Sequence, residues 1–358
     1  MAEVNIVIIG AGAVGGTLAA YLAGAGRDVH VVDTWFQHIN AIRADGLTLE
    51  SPEGSFSVEV PALHIDELGA LHDEIDVAIL AVKAYDTEWA YRLVEPYCAT
   101  GAVVLSAQNG LVEEELPRYA DMSRVLGCSV SFAAECIDPG VVMKRSSADW
   151  PVLAIGELDG RMSSRLERLA AVLEPVGELQ VTTDIIGKLW AKLAVNTMTN
   201  ATCALTGATS GMVWGETDYA PMSVALAAET ATVAAAAGIA MQPVFGQVSQ
   251  ASLVRAYGRD GAARDEVASS FAEVAAHRSG ERENRPSMRQ DILKGRRTEI
   301  ESLNGYVADR GEALGVATPV NARAAALVRE VEQGQRVSGP DNLSDLRAAL
   351  APDEQRRG

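Results

Sequence analysis

The sequence predicts a doubly wound α/β domain followed by an all-helical domain. The first 35 residues read as a strand, a glycine-rich turn, a helix and a second strand, which is the pattern of a βαβ unit. Short apolar runs then alternate with helical stretches to about residue 183, and alanine-rich segments with a 3.6-residue period dominate the rest. We therefore expect an α/β domain at 1–183, a helical domain at 184–350 and a tail at 351–358.

The first strands and helix are predicted from local residue patterns. Val4–Ile9 is a β-rich run, Gly10–Gly16 is the glycine turn, and Thr17–Gly24 is a helix of small residues. Val29–Val32 is a second β-branched run that ends at Asp33. Apolar runs of the same kind predict further strands of a mainly parallel sheet. They lie at Val77–Val82, Val103–Ser106, Val125–Val130 and Val152–Ile155.

The second half carries helical periodicity and few strand signals. Arg255–Asn284 is highly charged and contains several glycines, which suggests an insertion that is in part mobile. Pro352–Gly358 has the composition of a disordered tail. Helices are predicted at Ile185–Thr206, Pro221–Ala237, Phe245–His277, Met288–Leu314 and Ala322–Gln333.

The composition is that of a globular protein and excludes several classes of function. Of 358 residues, 48% are hydrophobic and 22% are charged, and the formal net charge is -18. This charge would repel nucleic acids and anionic membranes, so we expect neither as a partner. No apolar run reaches the roughly 18–20 residues that span a bilayer. The chain begins with a strand rather than a signal peptide, so the default location is the cytoplasm.

The cysteines and histidines indicate neither a disulfide framework nor a metal site. No CxxC, HxxxH or HExxH spacing occurs, and such spacings are typical of zinc sites. We therefore expect no bound metal, and buried free thiols, since free cysteine is often interior. The residues are Cys98, Cys128, Cys136 and Cys203, with His30, His38, His64, His72 and His277.

The glycine turn fits the GxGxxG pattern of dinucleotide-binding proteins. Gly10 permits the tight turn, Gly12 lets the backbone approach a pyrophosphate, and Gly15 lets the helix pack on the strand. The preceding strand and following helix favour a Rossmann turn that binds NAD or NADP over a ligand-free turn, with FAD as a weaker alternative. The predicted cofactor-binding residues of the turn are Gly10, Ala11, Gly12, Ala13, Val14 and Gly15.

Asp33 indicates which dinucleotide is bound. It lies 23 residues after Gly10, at a position where a carboxylate can accept hydrogen bonds from ribose hydroxyls and would repel a 2′-phosphate. No Arg or Lys lies between Asp33 and Ala41 to neutralise such a phosphate. The sequence therefore favours NAD(H), with NADP(H) as the alternative.

Lys192, Asn196 and Asn200 recur at intervals of four on a predicted helix and so share one face. One interpretation is the solvated face of an amphipathic helix. Two features count against it: asparagine has poor helix propensity, and the surrounding residues are apolar nearly all round. That pattern is typical of a buried helix whose polar atoms need specific partners, and it favours a binding site.

A second polar face is predicted after Pro286, since proline is common at the start of a helix. Ser287, Asp291, Gly295 and Glu299 follow at intervals of four. A glycine in mid-helix costs roughly 1 kcal/mol relative to alanine, which suggests that a ligand or another backbone passes close to it. The alternative is a surface helix interrupted by a glycine.

Five blocks stand in a recognisable order along most of the chain, from Ile6 to about Ala313. They are GAGAVGG at Gly10–Gly16, AVKA at Ala81–Ala84, QNG at Gln108–Gly110, WAKLAVN with Asn200 at Trp190–Asn200, and PSMRQDILKGRRTEIESLNG at Pro286–Gly305. In these blocks the chain resembles the ketopantoate reductase (2-dehydropantoate 2-reductase) family. The resemblance implies an NAD(P)-dependent oxidoreductase acting on CH–OH, which reduces a small 2-oxo acid to the 2-hydroxy acid. It also implies a C-terminal domain of the all-α, 6-phosphogluconate dehydrogenase type.

The resemblance further implies roles for individual residues. Lys192 matches the catalytic lysine, the general acid, and Glu299 matches a carboxylate that contacts the cofactor and the active-site network. Lys83 matches a lysine near the nicotinamide ribose. Asn109 matches an asparagine that helps to bind both substrate and cofactor, and Ala133 a position whose backbone meets the cofactor. The substrate-binding positions match Asn109, Asn196, Asn200 and Ser287.

The chain departs from the family pattern at some positions, and the sequence also allows alternative functions. Asp33 stands where the family more often has an arginine suited to NADPH, and Ser210 replaces a further substrate asparagine, so another branched or larger 2-oxo acid is a plausible substrate. One alternative is an NAD-dependent hydroxy-acid dehydrogenase of a catabolic pathway. Another is a non-catalytic NAD(H)-binding redox sensor, which would not need Lys192 or Ser287. The alanine-rich helical domain could also bury a face in a homodimer.

Overall fold

The computed structural model describes residues 4–71, 74–145, 153–258, 260–277 and 284–350. They divide into two compact units, Met1–Ile185 and Ile186–Gly358. The predicted fold class is confirmed, with an α/β Rossmann-type sheet in the first unit and helices in the second. The predicted disordered tail Pro352–Gly358, residue Val152 and parts of the charged stretch (259 and 278–283) lie outside the described residues.

The first unit is built from strands and a few helices. Its strands are β1 (Ile6–Ile9), β2 (Val29–Asp33), β3 (Leu47–Ser51), β4 (Gly54–Val58), β5 (Ala62–His64), β6 (Ile75–Leu80), β7 (Cys98–Ser106), β8 (Val125–Val130), β9 (Ala134–Asp138), β10 (Val141–Lys144), β11 (Leu153–Gly156) and β12 (Leu179–Val181). Its α-helices are α1 (Ala13–Gly24), α2 (Phe36–Asp45), α3 (Thr87–Val94) and α4 (Ser164–Leu173).

The main sheet has eight strands in the order β12-β11-β8-β7-β6-β1-β2-β5. Its pairs are parallel except for β8 with β11, so the prediction of a mainly parallel sheet is confirmed. In β1, Ile6 and Ile8 join one apolar core, and Val7 and Ile9 join the other. Because a central parallel strand is covered on both faces, its sequence is apolar at every position.

A second sheet, with the order β4-β3-β10-β9, was not predicted from the sequence. Its strands are short, and in β3 the buried Leu47 and Leu49 alternate with the half-buried Thr48 and Glu50, so β3 forms no continuous apolar run. The sheet packs against α1. The evidence is Gly16 of that helix, where an added Cβ would lie 2.8 Å from a methyl carbon of Val142 on β10. The second sheet therefore supports the helix that follows the glycine turn.

The second unit is helical, as predicted. Of the described helices in the whole chain, none is both long and apolar enough to cross a membrane. The helices are α5 (Ile185–Thr206), α6 (Ser210–Gly215), α7 (Ala220–Ala236), α8 (Gln250–Tyr257), α9 (Gly261–His277), α10 (Ser287–Leu293), a π-helical turn (Glu301–Gly305), α11 (Tyr306–Leu314), α12 (Pro319–Glu332) and α13 (Asn342–Arg347).

Two of the long helices predicted for this unit are interrupted. The span Phe245–His277 contains two helices, α8 and α9, and the first begins only after Ser249, whose hydroxyl caps it. The span Met288–Leu314 also breaks, because α10 ends at Leu293. The short helices α6 and α13 were missed, since six residues carry too little periodicity to be recognised.

Gly295 causes the break after α10, and the prediction that it lies in mid-helix is wrong. It has a φ of +62°, a left-handed conformation that favours glycine. The Arg296 N–H bonds to the Asp291 carbonyl and the Gly295 N–H to the Ile292 carbonyl, which is the Schellman arrangement that closes a helix. Among the residues that the structure describes, a Cβ at Gly295 would meet nothing within 4 Å, so none of their backbone passes close to it.

Candidate active site

The glycine turn joins β1 to α1, and two of its glycines are required by the protein itself. Gly10 has a φ of +100°, and a Cβ there would lie 2.9 Å from the backbone of Ala81. A Cβ at Gly15 would lie 1.8 Å from the Gly10 carbonyl oxygen. At Gly12, by contrast, a Cβ would meet nothing within 4 Å. The open space at Gly12 fits the approach of a ligand that needs close contact with the backbone.

The helix after the turn begins at Ala13, four residues earlier than the predicted start at Thr17. Ala13, Val14 and Gly15 therefore belong to the first turn of α1, where N–H groups have no partner within the helix. No side chain caps this end, and its first turn holds no acidic residue. These N–H groups and the helix dipole together suit an anionic group such as a pyrophosphate.

Asp33 ends β2 beside the glycine turn. Its Oδ2 accepts a hydrogen bond of 2.7 Å from the Ala11 N–H, and its Oδ1 accepts one of 2.8 Å from the Trp35 N–H. These two bonds fix the orientation of the carboxylate. Since each carboxylate oxygen has two lone-pair sites, both can still accept a hydrogen bond from a ribose hydroxyl.

Three other predicted cofactor residues follow neighbouring strands of the main sheet. Lys83 comes after β6, Asn109 after β7 and Ala133 after β8, and each is half-buried. Because β1, β6, β7 and β8 are parallel neighbours, the loops after them meet at one edge of the sheet. This is the edge at which open α/β sheets bind ligands.

Gln108 contributes to this edge and was not assigned a role from the sequence. Its side-chain nitrogen donates hydrogen bonds of 2.9 Å to the Val82 carbonyl and to the Thr87 hydroxyl. It thereby connects the loop carrying Asn109 to the loop carrying Lys83. The QNG block contained this residue, but its partners lie more than 20 residues away and could not be read from local pattern.

In the second unit, the polar face of α5 is half-buried. Lys192 and Asn196 are intermediate in exposure and Asn200 is 6% exposed. No residue of this 22-residue helix is in the exposed class, which argues against the interpretation as a solvated surface. The same face begins one turn earlier with Lys188, which the sequence analysis did not single out. Burial lowers the pKa of Lys188 below its usual value.

Ser287 and Glu299 do not share a helix face, contrary to the prediction. Ser287 is half-buried and begins α10, whereas Glu299 is 4% exposed and lies in the segment before the π-helical turn. The Thr298 N–H bonds to the Glu332 carboxylate at 2.6 Å, which holds the backbone next to Glu299 against α12. Because the helix ends before Gly295, the two residues lie in different elements.

Both segments are nevertheless tied to α5 within the second unit. Near the start of α10, Arg289 donates a 2.8 Å hydrogen bond to the Ala208 carbonyl, just beyond the end of α5. From the π-helical turn, Asn304 donates a 3.0 Å bond to the Thr197 carbonyl on α5. Asn304 is fully buried, and π-helical turns are frequent at functional sites. Asn304 connects the π-helical turn to α5, a contact that the periodicity did not reveal.

The cysteines are all free thiols, two of them buried and two half-buried. Among the residues that the structure describes, no three His, Cys, Asp or Glu side chains are placed to hold a metal ion.

Two family models match successive parts of the chain. The model of ketopantoate reductase PanE/ApbA matches residues 6–160, and that of its C-terminal domain matches residues 184–332. The chain belongs to the ketopantoate reductase family. The family and the enzyme class predicted from the sequence, a nicotinamide-dependent oxidoreductase acting on CH–OH, are thereby confirmed.

Individual members of the ketopantoate reductase family match nearly the whole chain. The 2-dehydropantoate 2-reductase of Archaeoglobus fulgidus is 32% identical over 337 residues, covering 92% of this chain and 98% of that protein. The crystal structure of a PanE/ApbA family ketopantoate reductase from Ralstonia eutropha is 29% identical, with a TM-score of 0.73, and covers 92% of this chain and 99% of that one.

The fold is also shared with a protein of another name. D-mandelate dehydrogenase, in a ternary structure with NADH and anilino(oxo)acetate, has a TM-score of 0.78 and covers 93% of this chain and all of that one. Its identity to this chain is 23%, so the likeness concerns the fold alone.

Proposed function

We propose that this ketopantoate reductase family member reduces a small 2-oxo acid to the 2-hydroxy acid with a nicotinamide cofactor. Residues 1–183 bind the dinucleotide, and residues 184–350 bind the substrate. The observation that carries the proposal is the half-buried face of α5, where Lys192 and Asn196 stand on a helix without an exposed residue. A surface helix has no need of such a face, whereas an acid substrate needs cationic and amide donors.

The residues of the first unit fit a dinucleotide. The uncapped N-terminus of α1 and the open space at Gly12 suit a pyrophosphate. The Asp33 carboxylate suits ribose hydroxyls, and Lys83 and Ala133 stand at the sheet edge where the nicotinamide half would lie. When bound, a reduced nicotinamide supplies the hydride that the carbonyl carbon of the substrate receives.

The residues of the second unit would hold the acid and move a proton. Ser287, Asn196 and Asn200 donate hydrogen bonds to the carboxylate and other oxygens of the substrate. Lys192 donates from its Nζ to the 2-oxo oxygen, where negative charge develops, and then transfers a proton to it as general acid. Glu299 orients this network. A cationic donor favours the reaction because it stabilises an alkoxide more than a neutral carbonyl.

The direct test is oxidation of NADH and of NADPH with ketopantoate and a panel of other 2-oxo acids. Turnover with at least one acid is expected, and dependence of the rate on the side chain of the acid will define the substrate. Faster NAD reduction by a 2-hydroxy acid would instead favour the oxidative dehydrogenase, to which Asp33 is also suited. Tight NADH binding without turnover of any acid would contradict the proposal and favour a redox sensor.

Asp33→Asn should shift the cofactor preference from NADH toward NADPH. The asparagine oxygen can still accept the bond from the Ala11 N–H, but the amide nitrogen cannot accept the one from the Trp35 N–H. The charge that repels a 2′-phosphate is also lost. We expect the ratio of kcat/KM for NADH to that for NADPH to fall by about tenfold, roughly 1.4 kcal/mol. The matched control is Asp28→Asn, which removes a charge just before the other end of β2, and it should leave the ratio unchanged. An unchanged ratio in Asp33→Asn would remove Asp33 from cofactor selection.

A further inference from the structure

His38 is a buried residue of α2 whose two ring nitrogens both face backbone groups. It is 0% exposed. Its Nε2 lies 2.9 Å from the Ala11 carbonyl oxygen, and the Gly140 N–H points at its Nδ1 from 2.9 Å. A carbonyl can only accept and an N–H can only donate. Nε2 is therefore placed to donate to the Ala11 carbonyl, and Nδ1 to accept from the Gly140 N–H.

The partner of His38 in the glycine turn is held from two sides. The Ala11 N–H donates to Asp33 Oδ2 at 2.7 Å, and the Ala11 carbonyl accepts from His38. Ala11 lies directly between Gly10, which makes the tight turn, and Gly12, where the open space for a ligand lies. These two side-chain bonds together fix the backbone of the turn where a pyrophosphate would approach.

The other partner of His38 belongs to the second sheet. Gly140 lies between β9 and β10 with a φ of +79°, and its carbonyl accepts a 2.9 Å bond from the Thr48 N–H on β3. Trp35 stacks on the His38 ring at a centroid distance of 5.1 Å and an angle of 8°. His38 thus links the glycine turn to a sheet that is separate from the one that carries the turn.

We propose that His38 is a positioning residue for the cofactor, and that through it the second sheet sets the affinity of the glycine turn for the dinucleotide. The inference rests on the proposed function. Phosphate binding by backbone N–H groups depends on their being fixed before the ligand arrives, since ordering them on binding would reduce affinity. Without His38, the Ala11 carbonyl and the Gly140 N–H would be buried without these partners.

Three substitutions separate this role from a general loss of stability. In His38→Gln, the amide nitrogen can reach the position of Nε2 and keep the bond to Ala11. In His38→Asn, the shorter amide can serve only the Gly140 N–H, at the position of Nδ1. His38→Leu serves neither partner. We expect the NADH Kd, measured by titration of NADH fluorescence, to rise about tenfold in His38→Asn and His38→Leu and to rise much less in His38→Gln.

Two further measurements distinguish positioning from structure. The kcat at saturating NADH should remain near that of the unchanged protein in all three variants, while the KM for NADH follows the Kd. Tyr91→Phe is the matched control: it removes a hydroxyl that donates to Glu95 and accepts from the Asp121 N–H in the other apolar core of the same unit. It should lower the Tm without changing the NADH Kd.

The outcomes are decisive whether or not the leucine variant folds. If His38→Gln binds NADH no better than His38→Asn, the bond to Ala11 contributes nothing and the inference is overturned. Equal affinity in all variants and the unchanged protein would overturn it as well, while leaving the proposed function intact. If the unchanged protein binds neither NADH nor NADPH, the proposed function and the inference fail together.

Discussion

Lys192→Ala should lower kcat by about 10²- to 10³-fold, the usual cost of removing one donor to a developing oxyanion. The loss is expected in kcat because the ammonium group acts most strongly when the carbonyl oxygen becomes negative. Lys192 has no assigned contact with the cofactor, so binding of NADH should be unchanged. Stopped-flow or steady-state assays with the best 2-oxo acid, together with an NADH titration, measure both quantities.

Lys188→Ala is the matched control for this substitution. Lys188 lies one turn earlier on the same half-buried face of α5, and burial lowers its pKa. It has no assigned contact with the substrate, so its removal should change kcat far less. If Lys192→Ala retained near-normal kcat, or if Lys188→Ala lost as much, the general acid would have to be reassigned.

Gly12→Val should weaken NADH binding by about a hundredfold while the protein keeps its fold. Because a Cβ at this position meets no atom of the described residues within 4 Å, the protein leaves room at the branch point of the new side chain. The side chain does occupy the space through which a pyrophosphate would reach the backbone N–H groups. Loss of two hydrogen bonds to a charged group, at about 1.5–3 kcal/mol each, accounts for an effect of this size.

Substitutions at two other glycines of α1 serve as controls for this prediction. Gly24→Val makes the same change at the last residue of α1, where the space is also open apart from an ordinary contact with Phe56 at 3.5 Å. It should leave NADH binding unchanged. Gly15→Ala places a Cβ 1.8 Å from the Gly10 carbonyl oxygen and should lower the Tm. Tight NADH binding by Gly12→Val in isothermal titration calorimetry would contradict the assignment of the turn.

Features that depend on consecutive residues were predicted correctly from the sequence. β1 is apolar at every position because a central parallel strand is covered on both faces, and the glycine turn between β1 and α1 lies within one short segment. The bounds of α5 also agreed with the structure, since its apolar residues repeat with the helical period over 22 residues. The start of α1 was placed too late, because glycines in a first helical turn resemble a loop.

Features that depend on contacts between residues far apart in the chain were not predicted from the sequence. The end of α10 depends on the positive φ of Gly295. Helix propensity does not reveal this φ, so the sequence analysis placed the glycine in mid-helix. The second sheet pairs β3 with β10, strands that lie about 90 residues apart, and neither has a distinctive pattern. Gln108 and Asn304 were missed for the same reason, as their partners are far away in the chain.

The sequence by itself determined the family, the order of the two domains and the identity of the polar residues at intervals of four on α5. Each of these depends on which side chains occur and how they are spaced. Only the tertiary structure decided that Ser287 and Glu299 lie in separate elements, and that Ala11 is held by Asp33 and by His38. The physical reason is that a buried hydrogen bond needs a partner at about 3 Å in space, and spacing along the chain does not specify which distant backbone group will be there.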